Sequence, residues 1–196
     1  LNEIRLGTVE GRMKSLLSLL AVSCFLVAHS PAQTCREVVR DASGRIVQSI
    51  ERQKQAGGAE RAVIRDASGR ITGTTTTRPN AGGSARTEYR DASGRITGTA
   101  STRPTTGTSS QTTYRDASGR ITGSADTRTS AGNSGRTQYR DASGRITGTT
   151  TTGGNPAGTV TGTRRDASGR VTGTSSGSGK CPKSVPMPLP PPSAKK

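Results

Sequence analysis

The hexapeptide Arg-Asp-Ala-Ser-Gly-Arg begins at Arg40, Arg65, Arg90, Arg115, Arg140 and Arg165, a spacing of 25 residues at every step. A period held without insertion or deletion points to one supersecondary unit set beside copies of itself. Around the third copy the residues read as a strand over 86–90, a turn Asp91-Ala92-Ser93-Gly94 and a strand over 95–100, so each unit is a β-hairpin. Aspartate at the first turn position accepts backbone N–H groups, and glycine at the last supplies the positive φ of a type I turn closed by a bulge. The turn residues are then Asp41 and Gly44, Asp66 and Gly69, Asp91 and Gly94, Asp116 and Gly119, Asp141 and Gly144, and Asp166 and Gly169.

A larger side chain precedes most copies, at Val39, Ile64, Tyr89, Tyr114 and Tyr139, with Arg164 the exception. A β-branched residue follows each one, at Ile46, Ile71, Ile96, Ile121, Ile146 and Val171. Strand alternation sets Thr87 and Tyr89 on one face, and Ile96, Gly98 and Ala100 on one face of the next strand. The expected core is therefore a thin seam of Tyr and Ile. One such pair offsets only a fraction of the backbone entropy lost in ordering a hairpin, so no unit folds alone and neighbours must associate. The expected fold class is all-β, with six hairpin repeats in a compact array closed like a flower or propeller; an open sheet or solenoid of hairpins is the alternative. Polar stretches such as 78–83 read as outer loops, and 49–55, which breaks the Thr-rich pattern, reads as a briefly helical N-terminal cap.

Only 28% of the residues are hydrophobic and Trp is absent, which excludes a conventional globular core. The net charge of +16 favours anionic polymers or surfaces as partners. Met13 and Lys14 followed by the apolar run from Leu16 to Val27 have the pattern of a secretory signal peptide, too short to span a bilayer, with Ser30 and Ala32 suiting cleavage before Gln33. The expected organisation is upstream translated sequence over 1–12, a signal peptide over 13–32, the β domain over 33–179 and a proline-rich basic tail over 180–196. A lipoprotein reading through Cys24 is the weaker alternative. The expected location is thus periplasmic, secreted or cell-surface. Cleavage removes three cations and two acids, so the mature charge is +15, with no histidine and two cysteines, Cys35 and Cys181.

In an exported chain those two cysteines suggest a disulfide. The bond would favour closure, because an open ladder of twelve strands extends about 55 Å, whereas the residues from Val171 to Cys181 reach at most about 35 Å. Unpaired thiols or a link between chains is the competing reading. The candidate anion-binding groups are the arginines flanking each turn: Arg65 and Arg70, Arg90 and Arg95, Arg115 and Arg120, Arg140 and Arg145, and Arg165 and Arg170. They would grip envelope glycan, lipopolysaccharide or nucleic acid; the structural alternative is a solvated turn with Arg to Asp pairs between neighbouring hairpins. Scarce aromatics argue against sequence-specific reading of bases. Ranks of Thr, as at Thr97 and Thr99, could form an ice-binding face, but Thr also simply favours strands. The prolines from Pro186 to Pro192 suit either a ligand for a proline-reading domain or a wall-spanning tail. No catalytic constellation, cofactor loop or dense set of metal ligands stands out, so the chain reads as non-enzymatic and free of metal.

Tyr close before Asp-Ala-Ser-Gly-Arg-Ile-Thr at a 25-residue period, over 36–176, resembles the YD repeats of Rhs-type bacterial proteins and the related short β-flower hairpin repeats. In YD repeats Tyr directly precedes Asp; here Arg90, Arg115 and Arg140 stand between them. The resemblance implies bacterial origin and a secreted or surface setting, and fits the compact radial arrangement better than a toxin-enclosing shell. A structural or binding module is the function it favours, with a secreted toxin-associated or toxin-like effector as the alternative.

Overall fold

In a computed structural model of the chain, the described residues are 34–130, 134–155 and 158–178. The upstream segment, the signal-peptide and cleavage assignments, Cys24, the tail and Cys181 lie outside them. Twelve strands run antiparallel in chain order: β1 (Thr34–Asp41), β2 (Ile46–Lys54), β3 (Glu60–Asp66), β4 (Ile71–Pro79), β5 (Ala85–Asp91), β6 (Ile96–Pro104), β7 (Ser109–Asp116), β8 (Ile121–Thr129), β9 (Gly135–Asp141), β10 (Ile146–Gly154), β11 (Val160–Asp166) and β12 (Val171–Ser178). Each pairs with its sequence neighbours, and β1 pairs with β12, with Arg36 opposite Ser178 and Asp41 opposite Gly173. The sheet is therefore a closed barrel, and no strand among the twelve is left with an open edge. Closure comes from lateral hydrogen bonding of one continuous sheet, not from an open ladder.

Every hexapeptide occupies the connection from an odd to an even strand, so all six turns lie at one end of the barrel. The loops that join hairpins lie at the other, including single 3-10 turns at Ala56–Gly58 and Ala81–Gly83. The residues over 49–54 continue β2 instead of forming a helix, because pairing with β1 and β3 satisfies their backbone groups, and Gln55 leads into the following turn.

The turn geometry agrees with the sequence, but of the expected seam only the tyrosines face inward and the isoleucines after the turns do not. In the third hairpin Arg90 pairs with Ile96 while Tyr89 pairs with Gly98, so Thr97 is an extra residue in β6. This bulge carries Ile96 to the outer side with Arg90 and returns Gly98 to the inside with Tyr89. The same register shift recurs in all six hairpins. Ile46, Ile71, Ile96, Ile121 and Ile146 are consequently exposed, at 38–45% of their surface. They form an outer ring, not a core.

The inward face carries small residues instead. Gly73, Gly98, Gly123, Gly148 and Gly173 are buried, and a methyl group on any of them would stand 2.4–2.5 Å from the carbonyl oxygen of an arginine on the next hairpin. Only glycine lets the strands approach so closely without displacement. The next inward rank includes Ile50, Thr75, Ala100 and Ala125, all buried. Below it Thr77 and Thr87, Thr102 and Thr112, and Thr127 and Thr137 join adjacent hairpins through hydroxyl hydrogen bonds of 2.8–2.9 Å. A luminal wall of Gly, Ala and Thr explains how a chain so poor in apolar residues builds an interior: its polar groups are hydrogen-bonded in place.

Candidate functional site: the turn rim and the barrel interior

Each turn is locked by its aspartate. In all six, Asp Oδ1 accepts the serine N–H at 2.9–3.0 Å, the serine hydroxyl at 2.6–2.7 Å and the N–H of the second arginine at 2.9–3.0 Å. The turn glycine takes φ of 83–85°, and its N–H donates to the aspartate carbonyl at 3.0–3.1 Å. Foremost the serine hydroxyl, together with the backbone donors, holds these carboxyls below the usual value of 3.8. The carboxylates are thereby committed to their own turns.

The two arginines of each copy part company. The first (Arg40, Arg65, Arg90, Arg115, Arg140 and Arg165) donates from Nη1 to the turn glycine carbonyl at 2.7–3.1 Å, buttressing the turn from outside. Arg90 also meets Glu88 at 2.6 Å, and Arg140 meets Asp126 at 3.6 Å. The second (Arg45, Arg70, Arg95, Arg120, Arg145 and Arg170) is exposed, and among the described residues no hydrogen bond or ion pair engages its guanidinium. No ion pair among the described residues links a turn aspartate to an arginine of a neighbouring hairpin, so the alternative of an inter-hairpin Arg to Asp ring is not seen among them. What remains is a rim of exposed cations around one mouth of the barrel, each close enough to its own turn aspartate to lower that carboxyl further.

Inside, Tyr89, Tyr114 and Tyr139 point into the barrel, and burial raises all three phenols above their ordinary value. They stay neutral donors at any physiological pH. The Arg164 guanidinium lies 5.9 Å from the Tyr139 ring centre, within cation–π range. That accounts for arginine in the Tyr column of the last hairpin.

Sequence reasoning missed an interior ion cluster. Arg52, 6% exposed, meets Glu37 at 3.1 Å and Glu60 at 3.2 Å. Aligning the chain at its period would have exposed it, since Arg52 stands in the column of Thr77, Thr102, Thr127 and Thr152, which the barrel turns inward. Cys35 is 2% exposed at the start of β1.

No family model matches this chain, and no curated protein is found similar to it. No helix among the described residues is long and apolar enough to cross a membrane.

Proposed function

We propose that this chain is an exported, non-catalytic binding or structural module of the cell envelope or exterior, which engages anionic polymers through the arginine rim. The observation that carries this reading is the division of labour within each hexapeptide: the aspartate and first arginine are spent on the turn, while the second arginine is left exposed and unengaged. Repetition at one mouth turns single weak contacts into a multivalent surface. The hexapeptide adds one net positive charge per copy, the arrangement that counterion release rewards on a polyanion. The outer wall, with Thr99, Ser101, Arg61, Arg86 and Arg136 facing solvent, lacks the tall apolar band of a lipid-embedded barrel.

The 25-residue hairpin is the building unit in this reading, used six times, and its kinship is with YD or β-flower repeats. A disulfide between Cys35 and Cys181 would clasp the closure. Its support is the bonded state of Cys35 and the pairing of Arg36 with Ser178, three residues short of Cys181. Nonreducing mass analysis of the exported protein reports export cleavage and this bond together.

The binding reading is tested on immobilised heparin. Retention should fall steeply between about 0.05 and 0.2 M salt, and replacing Arg95, Arg120 and Arg145 with Gln should reduce the logarithmic salt slope by roughly 2 to 3. Retention that is unaffected by the triple substitution would overturn it.

A further inference from the structure

On the outer wall, at the end of the strands opposite the turn rim, β8 and β9 set Arg128 directly across from Arg136. Like charges directly opposite on adjacent strands repel. Both side chains are exposed, and neither has an ion-pair or hydrogen-bond partner among the described residues. A cleft of about 660 Å³ opens beside them, a size suited to a small organic molecule. Its acid, Asp126, stands two residues along β8 from Arg128 on the same outer face, and is engaged by Arg140 at 3.6 Å and by the Gln111 side-chain amide at 3.5 Å. The cleft is therefore cationic where Arg128 and Arg136 meet.

The loop between β6 and β7 lines it too, with Ser109 beside Arg128 in register. The Thr105 N–H donates to the Ser109 carbonyl at 2.9 Å, and the loop is tied to the end of β8 by the Thr129 N–H donating to the Thr108 carbonyl at 3.1 Å and by the Thr108 hydroxyl donating to the Thr129 carbonyl. The loop thereby presents Thr105, Thr106 and Ser109 to the cleft. Two units earlier, Arg78 faces Arg86 in the same register. There, however, the corresponding loop is Gln55-Ala56-Gly57-Gly58-Ala59, with no hydroxyl side chain. A like-charged arginine pair is repeated, but only at 128 and 136 is it joined to a fixed hydroxyl-bearing wall.

We infer that this cleft binds a phosphate or sulfate group carried on a polyhydroxylated, sugar-sized molecule. The two guanidiniums take the oxyanion, whose charge relieves their mutual repulsion. The hydroxyls of Thr105, Thr106 and Ser109 and the Gln138 amide meet the carrier. The site is independent of the turn rim and stands whether or not that rim binds polymers.

The test uses the whole mature protein at constant ionic strength, titrated with glucose 6-phosphate, glucose or inorganic phosphate while the arginine side-chain N–H resonances are followed by NMR. Glucose 6-phosphate should give saturable shifts at Arg128 and Arg136, tighter than either component. The paired change Arg128→Gln with Arg136→Gln should weaken it at least about tenfold, whereas Arg95→Gln with Arg120→Gln on the rim should leave it unchanged. Thermal melts without ligand check the fold of each variant, and removing a like-charged pair should not lower the melting temperature. The inference fails if glucose 6-phosphate does not saturate, if it binds no tighter than inorganic phosphate, or if the wall and rim variants lose binding equally.

Discussion

At the scale of single residues, two kinds of glycine with different reasons for being glycine make separable predictions. Gly98 sits where a β-carbon would stand 2.5 Å from the Arg115 carbonyl oxygen, whereas a β-carbon at Gly153 meets nothing closer than a hydroxyl at 3.9 Å. Gly98→Ala should therefore cost about 1–3 kcal/mol, the usual range for overpacking, and Gly153→Ala should be neutral in the same denaturation experiment. The barrel can yield at this column, because Gln48 occupies it in the first hairpin; the cost should thus stay short of unfolding. The turn aspartates predict a pH dependence. Their folded-state pKa values are depressed, so each contributes stability above its unfolded value and loses it as pH falls through the lower folded value. Melting temperature should be flat above about pH 5 and should fall in acid below the ordinary carboxylate range. Asp91→Asn combined with Asp116→Asn should flatten that acid limb, since amides retain an acceptor but do not titrate.

At the scale of the hairpin, the turn was legible because its chemistry is local. Asp, Ser and Gly at fixed offsets leave few other backbone paths, and all six copies follow one. The bulge was not legible, because it is decided by which partner residue each strand hydrogen-bonds. One extra residue, Thr97, reverses the face of Ile96 while leaving Gly98 and Ala100 where simple alternation put them. The interior cluster of Arg52 with Glu37 and Glu60 was hidden for a related reason: charged residues read as solvated until the columns of the barrel are known. The oxyanion cleft also needed the fold, since Arg128 and Arg136 are far from notable in sequence but directly opposed in register. A pair of substitutions measures the bulge's effect. Ile96→Thr should change stability by no more than about 0.5 kcal/mol, as expected of a surface position. Tyr114→Ala, on the inward side of the neighbouring hairpin, should cost roughly 3 kcal/mol or more. A larger loss for Ile96→Thr than for Tyr114→Ala in the two urea titrations would mean that the isoleucines, not the tyrosines, face the interior.

At the scale of the whole molecule, one strand pair differs from the other eleven. Every other pair joins sequence neighbours, while β1 and β12 bring Arg36 beside Ser178 and complete the ring. Loop closure entropy grows slowly with length, so this contact costs little more at equilibrium than a local one, but it must form last or nearly so. Closure thus bears more on the folding rate than on stability. A circular permutant tests whether the ring has a privileged closing pair. Let one chain end at Ser178 and be joined to Thr34 by a short Gly-Ser linker, with new termini between Gly82 and Gly83, both chains carrying Cys35→Ser. In the permutant β1 and β12 become neighbours in sequence, and the long-range duty passes to β4 and β5. Its stability should lie within roughly 1 kcal/mol of the unpermuted chain, because one closing contact has replaced another in a ring that has no natural beginning. Folding kinetics should likewise change little, since relative contact order is nearly preserved. An open ladder would behave otherwise, since joining strands at its two ends would force it to bend, and the permutant would lose its cooperative melt. A cooperative transition of unchanged midpoint therefore identifies lateral closure of the sheet as the organising interaction of the fold.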